Sequence, residues 1–284
     1  MDWAKVKTFF ILLMLCLNVF LTGSLMYGSK SGASSDAYLA YADKILADRG
    51  ILLTGKWPVG PSEAGMLQFN NEESDAAMNK ILDRLMPGAK IVQGVQDGKQ
   101  RVYQVGTRKL VIGDSSGTGN VTIHYTDTSS GYRLDTKSEQ SRAREIKSLL
   151  KEIGLGAYHL VQDTVEETKD GTVRAFVQPY EKGHIFDNRV TLSLKESGVS
   201  DLLISLRTVR QKIAPPGGGS WEVLSARQAL ILSPLRGPLR IREMSFGWSQ
   251  ENAGQQYFSP VWRILTEDGQ EFRLNGYTGV LRQQ

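Results

Sequence analysis

The sequence predicts an α+β protein: a single N-terminal transmembrane helix, then an extracytoplasmic region of two modules, each pairing helix with antiparallel sheet. Three observations carry this expectation. An uncharged apolar run fills positions 8–29. Helical spacing then recurs along the chain, and the helices ending near Met86 and Ile153 are each followed by short strand-like segments in quick succession, with no regular strand-helix alternation. Finally, two hairpin signals fall within the last stretch, from Val261 to Leu281.

From Thr8 to Ser29 no side chain is charged. About 22 residues at roughly 1.5 Å each give a helix of about 33 Å, enough to cross the hydrocarbon core of a bilayer. Lys5, Lys7 and the amino group precede the run. Positive charge is retained inside, so residues 1–7 are predicted to be a cytoplasmic tail and the bulk to face outward from the cell membrane. Trp3, Lys5 and Lys7 are the candidate interface anchors. A cleaved signal peptide is the competing reading, with Phe9 to Leu21 as its apolar region and Thr22-Gly23-Ser24 near the cut. Against it, apolar character continues through Leu25, Met26 and Tyr27.

Asn18 lies near the middle of this run, where an unpaired amide is costly and is most cheaply satisfied by a second helix. Thr22 follows one turn on, and Ile11, Met14 and Leu25 complete the stripe. Ile11, Met14, Asn18, Thr22 and Leu25 are therefore the candidate contact face for a membrane partner. The alternative is a plain anchor whose amide bonds its own backbone.

Composition narrows the class. The 34 basic and 30 acidic side chains are interspersed and leave a net charge of +4, which gives no nucleic-acid surface. Cys16 is the single cysteine and falls in the apolar run, which excludes both a disulfide framework and a cysteine metal site outside.

After a linker at 30–35, the first module is predicted over 36–130. Asp36 to Arg49 has Leu39, Ala42, Ile45 and Leu46 at helical spacing, with Gly50 as its stop. Trp57-Pro58-Val59-Gly60-Pro61 reads as irregular. Ser74 caps a helix from Asp75 to Met86, ended by Pro87-Gly88. Strands are expected at Ile91 to Gln96, Arg101 to Val105, Lys109 to Ile112 and Val121 to Tyr125. The second module, 131–284, opens with an amphipathic helix from Ser138 to Ile153, stopped by Gly154. Strands are expected at Tyr158 to Glu166, Val173 to Tyr180, Arg189 to Leu194 and Val199 to Thr208, with Asp170-Gly171 as a hairpin turn. Pro215 to Gly219 is a flexible break, and Ser225 with Gln228 forms a capping box for a short helix to Leu232. Val261 to Leu265, Glu271 to Leu274 and Tyr277 to Leu281 form the closing strands, joined at Asp268-Gly269 and Asn275-Gly276.

The chain offers little chemistry of the catalytic kind. Gly113-Asp114-Ser115-Ser116-Gly117 matches the G-x-S-x-G pattern, but a nucleophile elbow needs a helix directly after it, and here another strand follows. His124, His159 and His184 are far apart and form no metal-binding motif. Paired acids such as Glu72-Glu73 and Glu166-Glu167 sit at helix or strand edges, as solvated charge does. Gly217 to Gly219 lacks the Lys and Ser/Thr of a phosphate loop. Asn120-Val121-Thr122 is a formal glycosylation acceptor. No catalytic residue, cofactor, metal or small-molecule substrate is predicted.

Met1-Asp2-Trp3, Lys5, Lys7, Phe10-Ile11, Leu17-Asn18 and Phe20-Leu21 resemble the opening of the YycI (WalI) family, membrane-anchored regulators of the YycFG/WalRK cell-wall two-component system of Gram-positive bacteria. Length, the single helix, the outer α+β region and the closing hairpins from Trp262 to Leu281 are also similar. The tail further resembles a PepSY-type element. The resemblance implies a non-enzymatic regulator that associates with a sister protein, YycH, and with the sensor histidine kinase YycG (WalK), chiefly through transmembrane helices. An anchored module that binds wall polymer or inhibits a protease is the alternative, and a tethered hydrolase using Ser115 with His124 or His184 a further one.

Overall fold

The computed structural model describes residues 36–70, 75–93, 100–113, 121–134, 138–195, 198–214, 221–251 and 255–282, with isolated positions 7, 13, 14, 17 and 18. In chain order the elements are helix α1 (Asp36–Asp48), strands β1 (Ile51–Leu53), β2 (Glu63–Ala64) and β3 (Met66–Asn70), and helix α2 (Asp75–Leu85). Strands β4 (Lys90–Gln93), β5 (Gln100–Val105), β6 (Arg108–Gly113), β7 (Thr122–Asp127) and β8 (Tyr132–Arg133) come next. Helix α3 (Glu139–Glu152) precedes β9 (Val161–Thr168), β10 (Gly171–Tyr180), β11 (Gly183–Lys195), β12 (Gly198–Ser205), β13 (Thr208–Ile213) and β14 (Trp221–Glu222). Helix α4 (Ala226–Leu232), β15 (Leu239–Gln250), β16 (Tyr257–Thr266) and β17 (Glu271–Asn275) close the order.

The helices start and stop where their end groups find partners. Ser138 is extended and its hydroxyl accepts from the N–H of Ser141, capping α3, while Ile146, Leu149 and Leu150 line the buried stripe. Ser225 and Gln228 form the reciprocal box at the start of α4. The far end of α4 is satisfied from outside. Arg49, one residue past α1, donates to the carbonyls of Leu230 (3.1 Å), Ile231 (2.7 Å) and Ser233 (2.8 Å), and also to that of Leu235. A guanidinium at a helix C-terminus both fills orphan acceptors and opposes the dipole.

Of the described residues, 15 strands share one hydrogen-bonded sheet, and β2 pairs β14 separately. Its first part runs β4-β5-β6-β7-β12-β11-β10-β9, antiparallel throughout. Register sets the two faces, because residues in one cross-strand row share a side. The row Tyr103, Leu110, Tyr125, Leu202 and Leu192 is buried. It packs with Ile81 and Leu85 of α2 and with Ile146 and Leu149 of α3.

The second part centres on β15, which pairs antiparallel with β16. On its other side it runs parallel to β1 and, at two residue pairs, to β11. Strand β16 also pairs β17 and β3, and β3 pairs β13. A second core lies here, with Phe69, Phe246, Trp248, Phe258 and Trp262 against Leu46 of α1 and Leu230 of α4. Both indoles are anchored, Trp248 Nε1 to the Gly65 carbonyl (2.9 Å) and Trp262 Nε1 to that of Leu224 (2.8 Å). Strand β11 belongs to both parts: His184 and Ile185 pair β15, and Arg189 to Lys195 pair β12.

The α+β class and the dominance of antiparallel pairing agree with the sequence. The cores group differently from a cut near residue 130: residues on both sides of it, such as Tyr125 and Ile146, share the first core, and α1 joins strands beyond β12 in the second. Among the described residues no helix is long and apolar enough to cross a membrane, and most of the 8–29 run lies outside them. Tyr277 to Leu281 is not a strand; it makes a single bridge, Leu274 to Leu281. Asn275 Oδ1 accepts the N–H groups of Tyr277 and Thr278, which curls the backbone into a turn.

Candidate functional site

On the face of the first part opposite its core, no described helix covers the sheet. One row reads Val111, His124, Leu203 and Thr191, and the next Lys109, Thr126, Asp201, Ser193 and Val173. These side chains are exposed or half-buried, Leu203 being 39% exposed. His124 Nε2 lies 2.6 Å from Asp201 Oδ2, which joins neighbouring strands by a diagonal pair.

At one end of this face the turns after β7 and between β9 and β10 meet the end of β11. Asp127 builds the first. Its carboxylate accepts from Thr107 Oγ1 (2.9 Å), from the N–H (2.9 Å) and hydroxyl (2.7 Å) of Ser129, and from the N–H of Gly131 (2.8 Å). Arg108 Nε lies 3.4 Å away. Burial opposes the charge, but the bonds from Ser129, Gly131 and Thr107 outweigh it and hold the carboxyl well below the usual carboxylate range. The same surroundings, burial first and then Asp127, push the Tyr125 phenol up to about 12.

Two glycines let these turns close on the strands. A Cβ at Gly198 would stand 2.1 Å from the Ser130 carbonyl oxygen, and one at Gly171 would stand 1.9 Å from that of Leu194. The result is a cleft in two adjoining parts. One, of about 450 Å³, is lined by groups including Thr126, Thr172, Ser193, Ser200 and Asp201. The other, of about 600 Å³, is lined by Thr128, Ser129, Ser130, Arg133, Lys169 and Lys195 among others. Thr128, Asp170, Gly171 and Lys195 border both.

A buried ionic cluster sits where β11 passes from one part of the sheet to the other. Arg263 of β16 grips Asp163 of β9 with two bonds (2.7 and 2.5 Å), its guanidinium 4.5 Å from the ring centre of Phe186. Burial opposes the Asp163 charge, yet Arg263 holds its carboxyl below the usual range. Next to it, burial and then Arg263 lower the His184 imidazole. Asp187 accepts from Ser249 Oγ (2.8 Å), the Gln250 N–H (2.7 Å) and Arg273. Asn188 exchanges bonds with the backbone of Arg207. The cluster holds strands together and contains no hollow for a ligand among the cavities described above.

Of the residues marked from sequence, Met14 and Asn18 are helical and exposed, and Lys7 likewise. Trp3, Lys5, Ile11, Thr22 and Leu25 lie outside the described residues, as do Cys16, Ser74, Ser115, Asn120 and the 215–219 break. His124, His159 and His184 do not converge: the first faces Asp201, the second ends a 3-10 turn at Leu155–Tyr158, and the third borders Arg263. Among the described residues no three His, Cys, Asp or Glu could together hold a metal ion. Sequence reasoning missed the cleft. Its lining comes from six strands and their turns, and only Asp170-Gly171 carried a local signal, for a turn.

No family model matches the chain, and no curated protein matches it. Among solved structures the chain is similar to the Bacillus megaterium YpeB C-terminal domain, at 14% identity and a TM-score of 0.42, over 75% of this chain and 97% of that one. It is also similar to YycH from Bacillus subtilis, at 9% identity and a TM-score of 0.42, over 73% of this chain and 52% of that one. The chain thus spans about half the length of the YycH structure.

Proposed function

We propose that the protein is a membrane-anchored, non-enzymatic regulator that modulates a cell-wall-sensing histidine kinase of the YycG (WalK) type, together with a YycH-like sister protein. In this reading the 8–29 run spans the cell membrane with its amino end inside, and the described α+β region lies outside. The observation that carries it is the uncovered sheet face around His124, Asp201 and Leu203, a broad surface of mixed polarity suited to a protein partner. The opening residues that resemble the YycI family, and Asn18 within the apolar run, support the membrane contact.

Co-purification from detergent-solubilised membranes tests both contacts. The wild type should capture the kinase and the sister protein. Asn18→Leu should lower kinase capture about tenfold, a value of the size found for interhelical amide bonds in membranes. Leu203→Asp should weaken capture of the sister protein and leave the kinase contact in place. Equal capture by wild type and Asn18→Leu would sink the helix contact.

A further inference from the structure

Beside the sheet face around His124 and Leu203, the basic end of the cleft has a chemistry that the regulator proposal does not use. Lys195 ends β11, Lys169 stands in the turn between β9 and β10, and Arg133 belongs to β8, so three separate segments bring a cation to one hollow. None of the three forms an ion pair with a described residue. Among the described residues, the acids nearby do not balance them. Asp127 is already committed to its turn and to Arg108, which leaves Asp170 as the carboxylate lining this part. An excess of positive charge in a hollow calls for an anion, and hydroxyls at Thr128 and Ser130 border it.

The adjoining part of the cleft differs. Hydroxyls of Thr126, Ser193 and Ser200 stand there beside the carboxylates of Asp127, Asp170 and Asp201, with Val173 and Leu194 between them. Such a wall donates and accepts at short intervals, which suits a chain of alcohol groups. Neither part is lined by an aromatic ring, so a nucleobase or a flat sugar face would find no stacking surface. The walls are also set in advance: the Asp127 bonds fix one turn, and Gly198 lets Ser130 press against β12.

We propose that this cleft binds a polyol phosphate, with the phosphate between Arg133, Lys169 and Lys195 and the alcohol groups along Ser193, Ser200 and Asp201. The same chemistry occurs in a free polyol phosphate, in a repeating polyol-phosphate polymer and in a phosphatidylglycerol headgroup. The site is independent of the kinase contact, and its failure would leave the capture experiment above untouched.

Titration calorimetry on the full chain in detergent tests the proposal, using sn-glycerol 3-phosphate, glycerol and inorganic phosphate as probes. Glycerol 3-phosphate should bind more tightly than either component, and less tightly as sodium chloride rises. Lys169→Gln with Lys195→Gln should weaken it about tenfold or more, through loss of charge-assisted bonds. Lys109→Gln, on the same face outside the cleft, should bind as the wild type does. If the double Gln variant does not fold, Lys169→Arg with Lys195→Arg should keep both fold and binding. A glycerol-phosphate oligomer and phosphatidylglycerol vesicles, compared with phosphatidylcholine vesicles, then separate the sources. No binding of any glycerol phosphate form, equal binding of inorganic phosphate, or an unchanged affinity in a folded double Gln variant would each overturn the proposal.

Discussion

Arg263 has a side chain only 2% exposed, and its partner Asp163 is nearly as deep at 6%. A charge at such depth is tolerated because each group answers the other through two bonds and because Phe186 offers its ring face to the guanidinium. Removing one partner is therefore worse than removing both. Arg263→Met should lose about 3–5 kcal/mol in urea unfolding at pH 7, because the Asp163 carboxylate is left uncompensated. Asp163→Leu combined with Arg263→Met should recover most of that loss. The sign with pH follows from the lowered carboxyl. The wild-type contribution is present above the ordinary value of 3.8 and is lost as pH falls through the lower folded value. Protonation relieves the bare carboxyl of the single variant, so its deficit should narrow as pH falls through the carboxylate range. A deficit that stays constant with pH would show that packing, not charge, carries the effect.

At the scale of elements, the turns around the cleft are held by close approach. Gly198→Ala would drive a methyl group to 2.1 Å from the Ser130 carbonyl oxygen, so either β12 or the turn after β7 must move. We expect a loss of about 1–3 kcal/mol, the cost of overpacking, measurable as a lower urea midpoint, with increased amide exchange in residues 128–131. The helices were legible because their signals are local. Gly50, the Ser138 and Ser225 caps and Gly154 mark ends that the structure reproduces to within a residue or two. The hairpins at Asp170-Gly171 and Asp268-Gly269 were legible for the same reason. Strand β15 was not foreseen. Apolar residues alternate on either side of a slip, Leu239 and Ile241 and then Met244, Phe246 and Trp248, but the register shift between Ile241 and Glu243 changes the phase, so no single period-2 pattern spans the strand. The cleft was hidden for a related reason: cross-strand rows such as Thr126, Asp201 and Ser193 are set by pairing between distant segments. The expected strand from Tyr158 also begins later, at Val161, because a 3-10 turn occupies Leu155–Tyr158.

For the molecule as a whole, the two cores are distinct but their strands are continuous through β11. Trp57, Trp248 and Trp262 all belong to the second core or pack against it, whereas Leu202 is wholly buried in the first. Leu202→Ala should cost about 2–5 kcal/mol. If the shared strand couples the cores, the urea midpoint seen by tryptophan fluorescence should fall together with that seen by far-ultraviolet circular dichroism. A fluorescence midpoint that stays in place would show that the cores unfold separately.

The passage of β11 between the two halves also fixes an order of assembly during synthesis. The first core is drawn from one unbroken stretch, Ile81 to Leu206, and can close as soon as that stretch has emerged. The second joins Leu46 to Leu274, so it cannot be completed until β15, β16 and β17 have been made, although β1 already packs beside α1. Strand β11 pairs β10 on one edge, and at His184 and Ile185 the other edge, which β12 does not reach, is the one along which β15 aligns.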